Sequence, residues 1–241
     1  MPDFLDSLLH WVFPVDCAAC GQPAAERGLP FFCRACWETI TPIDGPICPH
    51  CGQPFTSPIA LAFSPRHQCR ACRKSPPHFD RALSPYRYEG VLEQAIRLFK
   101  YRSKDALATP LADLMLAWAD RLPPMDLVMP VPLHPARLRT REFNQSLRLA
   151  DRIAQRLGLP HSFEHLERIR ATRPQTELDR KDRARNVRRA FAVQGAERLK
   201  GCRILLVDDV FTTGATVNDC ARALKRAGAD SVTILTLARR I

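Results

Sequence analysis

Long apolar segments are missing from this sequence of 241 residues. No run approaches the roughly 20 consecutive apolar residues that a membrane-spanning helix requires, so we expect no membrane span. We also expect no secretory leader, because Asp3 and Asp6 make the first residues acidic where such a leader is basic. We therefore expect a cytoplasmic protein. Apolar residues from Phe4 to Phe13 recur at helical spacing, which predicts a helix packed on the protein itself or on a membrane or partner surface.

Acidic residues are in the minority. The chain has 25 Asp and Glu against 36 Lys and Arg, which gives a formal net charge of +11. A surplus of this size indicates an anionic partner, such as a polyphosphate ligand, a nucleic acid or an acidic membrane surface. Charge alone does not choose among these partners.

Cysteine is concentrated near one end, where eight of the ten cysteines lie between positions 17 and 72. They form four Cys-x-x-Cys pairs, and two such pairs complete one tetrahedral site, so they predict two structural zinc ions. Grouping by neighbours gives one set of Cys17, Cys20, Cys33 and Cys36 and another of Cys48, Cys51, Cys69 and Cys72. An interleaved grouping stays open at this point. Ligation by His50 or His67 is unnecessary, because the thiolates suffice.

Other roles for these cysteines fit less well. Disulfides are disfavoured because nothing in the sequence indicates secretion. A site of four thiolates has no open position, which disfavours a catalytic zinc. We therefore interpret this region as a folding module and a possible docking surface, and we expect Cys202 and Cys220 to be buried thiols.

The remainder of the chain has an α/β pattern. The proline pair after Ser75 indicates a boundary, with an N-terminal helix and double zinc-ribbon module at residues 1–77 and a second domain at residues 78–241. Apolar periodicity predicts helices at residues 90–101, 107–122, 144–157 and 216–227, and strands at residues 126–131, 203–207 and 231–237. Strands this apolar, alternating with helices, predict a parallel sheet covered on both faces.

The most informative stretch is residues 204–216, where a buried strand ends in Asp208 and Asp209 and a short loop leads into a helix. Free N–H groups and the helix dipole at such a helix start favour a phosphate monoester. The two carboxylates can accept hydrogen bonds from a ribose diol. The candidate binding residues of the loop are Phe211, Thr212, Thr213, Gly214, Ala215 and Thr216.

Competing interpretations of this stretch are weaker. It has no Gly-Lys-[Ser/Thr], so it is not a Walker A loop. Adjacent strand residues point to opposite faces, which disfavours a carboxylate dyad sharing one proton. An acidic turn that merely caps a helix remains the simplest alternative.

Residues 204–216 resemble the phosphoribosyl pyrophosphate signature of type I phosphoribosyltransferases, and along nearly the whole chain the sequence resembles the ComF family. The segments that carry the second resemblance are the four Cys pairs, residues 98–102 (LFKYR), 131–139 (VPLHPARLR), 143–145 (FNQ), 190–191, 223–224, 228–229 and 237–239, and the spaced residues Arg170, Thr172, Gln175, Leu178, Arg183 and Asn186. One departure is visible: the family commonly has Arg-Gly before Phe-Asn-Gln, whereas this chain has Arg141-Glu142.

The resemblance implies a type I phosphoribosyltransferase fold, with a central mostly parallel sheet, behind a small double zinc-ribbon module. It also implies a link to natural competence, the uptake and use of external DNA. For the site it implies phosphoribosyl pyrophosphate with Mg²⁺, held by Asp208 and Asp209 as ribose-binding and catalytic residues. The cations expected near pyrophosphate are Arg137, Arg139, Lys100 and Arg102.

Two functions stay open. The first is a phosphoribosyltransferase whose acceptor the sequence does not identify. The second is a non-catalytic accessory protein that senses the ligand and contacts single-stranded DNA or a DNA-uptake helicase. A basic stretch at residues 168–189 fits loop closure over the ligand, a nucleic-acid footprint or a solvated charged face. This stretch has few aromatic residues, which argues against a platform on which the bases of single-stranded DNA stack.

Overall fold

The computed structural model describes residues 16–24, 28–57, 64, 66–100, 102–134, 144–170 and 189–241. The helices are α1 (Arg34–Trp37), α2 (Arg70–Lys74), α3 (Gly90–Phe99), α4 (Ala108–Met115), α5 (Gln145–Leu157) and α6 (Ala215–Arg226). The strands are β1 (Arg81–Leu83), β2 (Tyr86–Arg87), β3 (Leu127–Pro130), β4 (Leu166–Arg168), β5 (Phe191–Val193), β6 (Arg203–Phe211) and β7 (Ser231–Arg239). Short 3-10 helices occupy Arg102–Leu107, Leu116–Arg121 and Ala196–Arg198.

The main sheet has the order β1-β7-β6-β3, with β2 also paired to β7, and all of these pairings are parallel. The strands β4 and β5 form a separate antiparallel pair. The parallel sheet confirms the α/β class expected from the apolar strands. Within the described ranges, no helix is both long and apolar enough to cross a membrane.

Successive residues of β6 pack into two different cores, one on each face of the sheet. Leu205 and Val207 belong to the core that contains α3, α4 and α5, while Ile204 and Leu206 belong to the core that contains α6. This alternation is the period-two geometry of a strand buried on both sides. The molecule is therefore layered as helices, sheet and helices.

The zinc-binding region packs against both of these cores. Cys17 and Phe32 are buried in the core on the α5 side, and Cys48, Cys51 and Cys72 in the core on the α6 side. Backbone hydrogen bonds join the region to the sheet, for example from the Ala82 N–H to the His50 carbonyl (2.8 Å). The boundary near residue 77 stays a prediction, and the residues on its two sides share their cores.

Two strand and helix predictions were wrong in extent. The sequence predicted that one strand ends at residue 207, but β6 continues to Phe211, because β7 pairs with it along its whole length, including Asp208 opposite Thr236. The helix predicted at residues 107–122 is α4 followed by a 3-10 segment. The backbone kinks at Trp118 (φ −114°, ψ 27°), whose ring is buried and contacts the Arg121 guanidinium.

The described part of the zinc-binding region contains α1, α2 and isolated β-bridges. Two of the bridges, between Asp16 and Pro23 and between Ile47 and Pro54, each close the turn of one Cys pair. A third pairs Pro42 with Tyr86 of β2. The other two Cys pairs, which begin at Cys33 and Cys69, lie at the starts of α1 and α2.

Candidate functional site

The eight paired cysteines form two clusters of four. The first zinc cluster contains Cys17, Cys20, Cys33 and Cys36, and the second zinc cluster contains Cys48, Cys51, Cys69 and Cys72; within each, all Sγ atoms lie within 4.8 Å of one another. Each cluster thus combines two Cys pairs that are neighbours in the sequence, and the interleaved grouping does not occur in these clusters.

The geometry of both clusters fits a structural zinc ion. Four thiolates at about 2.3 Å from a central zinc lie roughly 3.8 Å from one another. The Sγ atoms of Cys20 and Cys33 are 3.8 Å apart, and those of Cys51 and Cys69 are 3.7 Å apart. Both separations are far longer than the roughly 2.05 Å of a disulfide bond. Two four-cysteine clusters therefore provide two structural zinc sites.

Asp208 and Asp209 lie near the carboxyl end of β6, each beside a different helix. The Ser146 hydroxyl at the start of α5 donates to Asp208 Oδ1 (2.9 Å), and Lys100 Nζ at the end of α3 lies 3.1 Å from Asp209 Oδ2. The Asp209 N–H donates to Asp208 Oδ1 (3.0 Å). The structure thus places the predicted cation Lys100 next to the predicted acidic pair. As whole residues, Asp208 and Asp209 are half-buried.

The Asp208 carboxyl has an altered proton affinity. Burial, together with the negative charge of Asp209, raises the pKa of Asp208 from its ordinary value of 3.8 to about 7. The Ser146 hydroxyl, the Asp209 N–H and the Lys100 ammonium act in the opposite direction and do not offset these two effects. Asp208 therefore changes its charge near neutral pH, which alters the acceptor capacity that it offers to a ligand.

Replacing Asp208 by Asn is expected to stabilise the protein increasingly as the pH rises from about 4 to about 7. In this range the folded wild type retains a proton that the unfolded chain releases, so its stability falls with rising pH. The Asn side chain does not titrate, and its advantage should be constant above about pH 7. Urea unfolding at several pH values measures this difference.

Asp230→Asn is the matched control, because Asp230 is an exposed carboxylate just before β7, at the other end of the sheet. It makes the same change of charge and should show no such widening. A constant difference between Asp208→Asn and wild type from about pH 4 to about pH 8 contradicts the raised proton affinity of Asp208.

Residues 212–214 form a turn between β6 and α6, which we call the 212–214 turn. It is shorter than the loop expected at residues 211–216, because Phe211 ends β6 and Ala215 begins α6. Thr212, Thr213 and Gly214 are half-buried, and their backbone N–H groups have no acceptor among the described residues. A helix of 12 residues thus begins directly after three N–H groups that have no acceptor in the described part of the chain.

Gly214 is required by two features of this turn. Its φ of +73° lies in the left-handed region, which favours glycine. A Cβ atom at Gly214 would also lie 2.5 Å from Cζ of Phe211. The Phe211 side chain is buried beneath the turn and packs edge-on against Phe79. Phe211 was predicted as a binding residue, and the structure places its side chain in support of the turn.

Several residues at the start of α5 make contacts that the sequence did not predict. Asn144 caps this helix by accepting from the Ser146 N–H (3.1 Å), and it donates to the Val131 carbonyl (3.2 Å) at the end of β3. These contacts hold Ser146 beside Asp208. The Gln145 side-chain nitrogen is buried and has no hydrogen-bond partner among the described residues. The Phe-Asn-Gln motif was the available signal, but it did not specify these contacts.

Several predicted residues lie outside the described residues. They are Arg137, Arg139, the apolar stripe at residues 4–13 and most of the basic stretch at residues 168–189. Their proposed contacts with pyrophosphate, DNA or a surface stay predictions.

Comparison with known proteins shows two domain families in this chain. Residues 8–73 match the double zinc ribbon domain, and residues 144–241 match the phosphoribosyl transferase domain. The DNA utilization protein YhgH of Salmonella typhi is 34% identical over 201 residues, covering 81% of this chain and 85% of that protein. Competence protein F of Haemophilus influenzae is 30% identical over 224 residues, covering 89% and 92%.

Similarity to solved structures is more distant. The orotate phosphoribosyltransferase of Aeropyrum pernix is 24% identical, with a TM-score of 0.36, over 60% of this chain and 64% of that one. A likeness at this level carries no functional argument. The two domain matches and the relatives aligned over most of their length show that the chain belongs to the ComF family, in which a double zinc ribbon precedes a type I phosphoribosyltransferase fold.

Proposed function

We propose that the protein binds phosphoribosyl pyrophosphate with Mg²⁺ at the carboxyl end of β6. The observation that carries this proposal is the juxtaposition of the acidic pair, Asp208 and Asp209, with the N–H groups of the 212–214 turn, which have no acceptor within the described ranges. The carboxylates offer acceptors for the ribose hydroxyls, and the turn with the start of α6 offers donors and a favourable dipole for the 5-phosphate. Ligands of open α/β sheets bind at this end of the strands.

The site supports transfer of the phosphoribosyl group to an acceptor. Such a transfer passes through an oxocarbenium-like state at ribose C1 while pyrophosphate leaves. The chain would hold the sugar-phosphate and position the acceptor, and Lys100 places a cation beside the acidic pair. Mg²⁺ bound to pyrophosphate would neutralise part of the developing charge. Arg137 and Arg139 remain candidates for the same task.

The relatives suggest the process that this site serves. Their names refer to DNA utilization and to competence. We infer that the protein acts in the uptake or use of external DNA, in the cytoplasm. The function we favour is therefore that of a competence-associated phosphoribosyltransferase with an acceptor still to be found.

A second function is favoured by the charge of the chain. A formal net charge of +11 exceeds what one small anionic ligand needs. The alternative is an accessory protein that binds phosphoribosyl pyrophosphate without turnover and contacts single-stranded DNA or a helicase. Its affinity for DNA would fall steeply with salt, because phosphate contacts dominate such binding.

Calorimetry with phosphoribosyl pyrophosphate and Mg²⁺ tests the proposal. Wild type is expected to bind. The double change Asp208→Asn and Asp209→Asn should weaken binding on the order of 100-fold, because neutral amides replace the acidic pair that accepts from the ribose hydroxyls. Asp230→Asn combined with Asp120→Asn removes two charges elsewhere and is the control. Absence of binding by zinc-loaded wild type refutes the proposal.

The two functions are separated by following the ligand after binding. Pyrophosphate release with one member of a panel of bases supports the transferase. Binding without release across the panel, together with salt-sensitive retention of single-stranded DNA, supports the accessory protein.

A further inference from the structure

Arg239, at the end of β7, is a buried cation. Its side chain contacts the backbone of the second zinc cluster. Its side chain is 5% exposed in relative terms. Its Nη1 donates to the carbonyl of Cys51 (2.6 Å), and its Nη2 donates to Oε1 of Gln53 (3.0 Å). Cys51 is a ligand of the second zinc cluster, and Gln53 follows it by two residues. The guanidinium is thus held by the turn that carries a zinc ligand.

The charge of the zinc site favours this placement. A zinc ion with four thiolates carries a net charge of about −2, and a buried guanidinium nearby provides a compensating positive charge. The turn that carries Cys51 also lies close to β1: a Cβ at Gly52 would be only 2.6 Å from the Ala82 carbonyl oxygen. A zinc ion bound to Cys51 would hold in place the carbonyl that accepts from Arg239.

Arg239 also contacts the residue that supports the 212–214 turn. Its guanidinium carbon lies 4.3 Å from the centre of the Phe211 ring. The same ring lies directly under Gly214, where a Cβ would come within 2.5 Å of it. A continuous path of contacts therefore runs from Cys51 through Arg239 and Phe211 to Gly214. Each step is a hydrogen bond or a close packing contact.

The first zinc cluster differs in this respect. Its buried member Cys17 packs in the core on the α5 side of the sheet, together with Phe32, Leu92 and Ile96. Phe211 belongs to the opposite core, which also contains Cys48, Cys51 and Cys72. Among the described residues, only the second cluster lies in the core beneath the 212–214 turn.

We propose that Arg239 is a positioning residue that couples the second zinc site to the 212–214 turn, so that loading of this site orders the turn and loading of the first does not. The consequence for phosphate binding rests on the function proposed above. The coupling itself is a property of the protein without ligand. It makes the second zinc ion a determinant of the binding site, beyond its part in folding the ribbon.

Hydrogen exchange resolved by residue tests the coupling without ligand. The Asn218 N–H donates to the Gly214 carbonyl (2.9 Å) and reports on the turn, whereas the Leu159 N–H donates to the Ala154 carbonyl (3.0 Å) at the far end of α5. Arg239→Lys removes the guanidinium but keeps the positive charge. Gln53→Ala removes one side-chain acceptor of Arg239 and replaces no zinc ligand. Each should raise exchange at Asn218 about tenfold, the order expected for a lost charged hydrogen bond, and leave Leu159 within about twofold.

The zinc sites are compared by Cys69→Ser in the second cluster and Cys20→Ser in the first. Cys69→Ser should raise exchange at Asn218 more than at Leu159, whereas Cys20→Ser should not. Equal effects of Cys69→Ser and Cys20→Ser on Asn218 exchange overturn the proposal. Unchanged exchange at Asn218 in both Arg239→Lys and Gln53→Ala also overturns it. So does a rise at Leu159 as large as the rise at Asn218. If Cys69→Ser does not fold, exchange at Asn218 in Gln53→Ala alone tests whether the turn that carries Cys51 is coupled to the 212–214 turn.

Calorimetry with inorganic phosphate separates this proposal from the proposed function. If wild type binds no phosphate but Gln53→Ala shows the local rise in exchange at Asn218, phosphate binding is refuted and the coupling is supported. Phosphate binding by wild type with no change at Asn218 in either variant supports the binding site and overturns the coupling.

Discussion

Replacing Cys48 by Ser is expected to release one of two zinc ions and to unfold the second ribbon. The Cys48 side chain is fully buried among Phe79, Ala82 and the other ligands of its cluster. Structural zinc supplies an apparent binding free energy of about 10–16 kcal/mol, and this energy is folding energy for the segment that carries the ligands. The loss of stability should therefore exceed about 5 kcal/mol, of the order of the whole stability of a domain.

Zinc content and urea unfolding measure this result. Zinc bound per chain should fall from about two to about one, since the first cluster keeps all four ligands. Cys220→Ser is the matched control: it makes the same change at a fully buried thiol in the same core, outside either cluster, and should retain both ions. A Cys48→Ser protein that still holds two zinc ions contradicts the assignment of Cys48 as a ligand.

Replacing Gly214 by Ala is expected to destabilise the protein by about 2–4 kcal/mol, as the sum of two costs. Placing a Cβ at a φ of +73° costs about 1 kcal/mol. The Cβ also meets the Phe211 ring at 2.5 Å, and crowding of a packed core costs about 1–3 kcal/mol more. The ring has little room to move, because Phe79 and Arg239 pack against it. Under the proposed function, the displaced turn should also lose measurable binding of phosphoribosyl pyrophosphate.

Gly158→Ala isolates the effect of the ring. Gly158 ends α5 with a φ of +65°, and a Cβ there has nothing within 4 Å. This variant should therefore lose only the backbone part, about 1 kcal/mol, and keep its affinity for the ligand. Urea unfolding and calorimetry compare the two variants. Equal losses of stability would show that the Phe211 ring does not support the turn.

The sequence by itself determined the features that depend on local spacing. A Cys-x-x-Cys pair brings two thiolates to one ion whatever surrounds it, so four pairs predicted two zinc sites before any fold was known. The apolar strand, acidic pair and small-residue turn at residues 204–216 likewise predicted a strand, a turn and a helix start. The amphipathic pattern placed α3, α5 and α6 within a few residues of their ends, because burial of one helix face requires that pattern.

Only the tertiary structure decided which distant residues meet. The grouping of the Cys pairs, the extension of β6 to Phe211 and the contact of Ser146 with Asp208 depend on elements far apart in the chain; Ser146 and Asp208 are separated by 62 positions. Arg239 and Cys51 are 188 positions apart, and no local pattern marks either as a partner of the other. Such contacts arise from strand order and from the packing of two opposite cores, which a spacing of residue types along the chain does not encode.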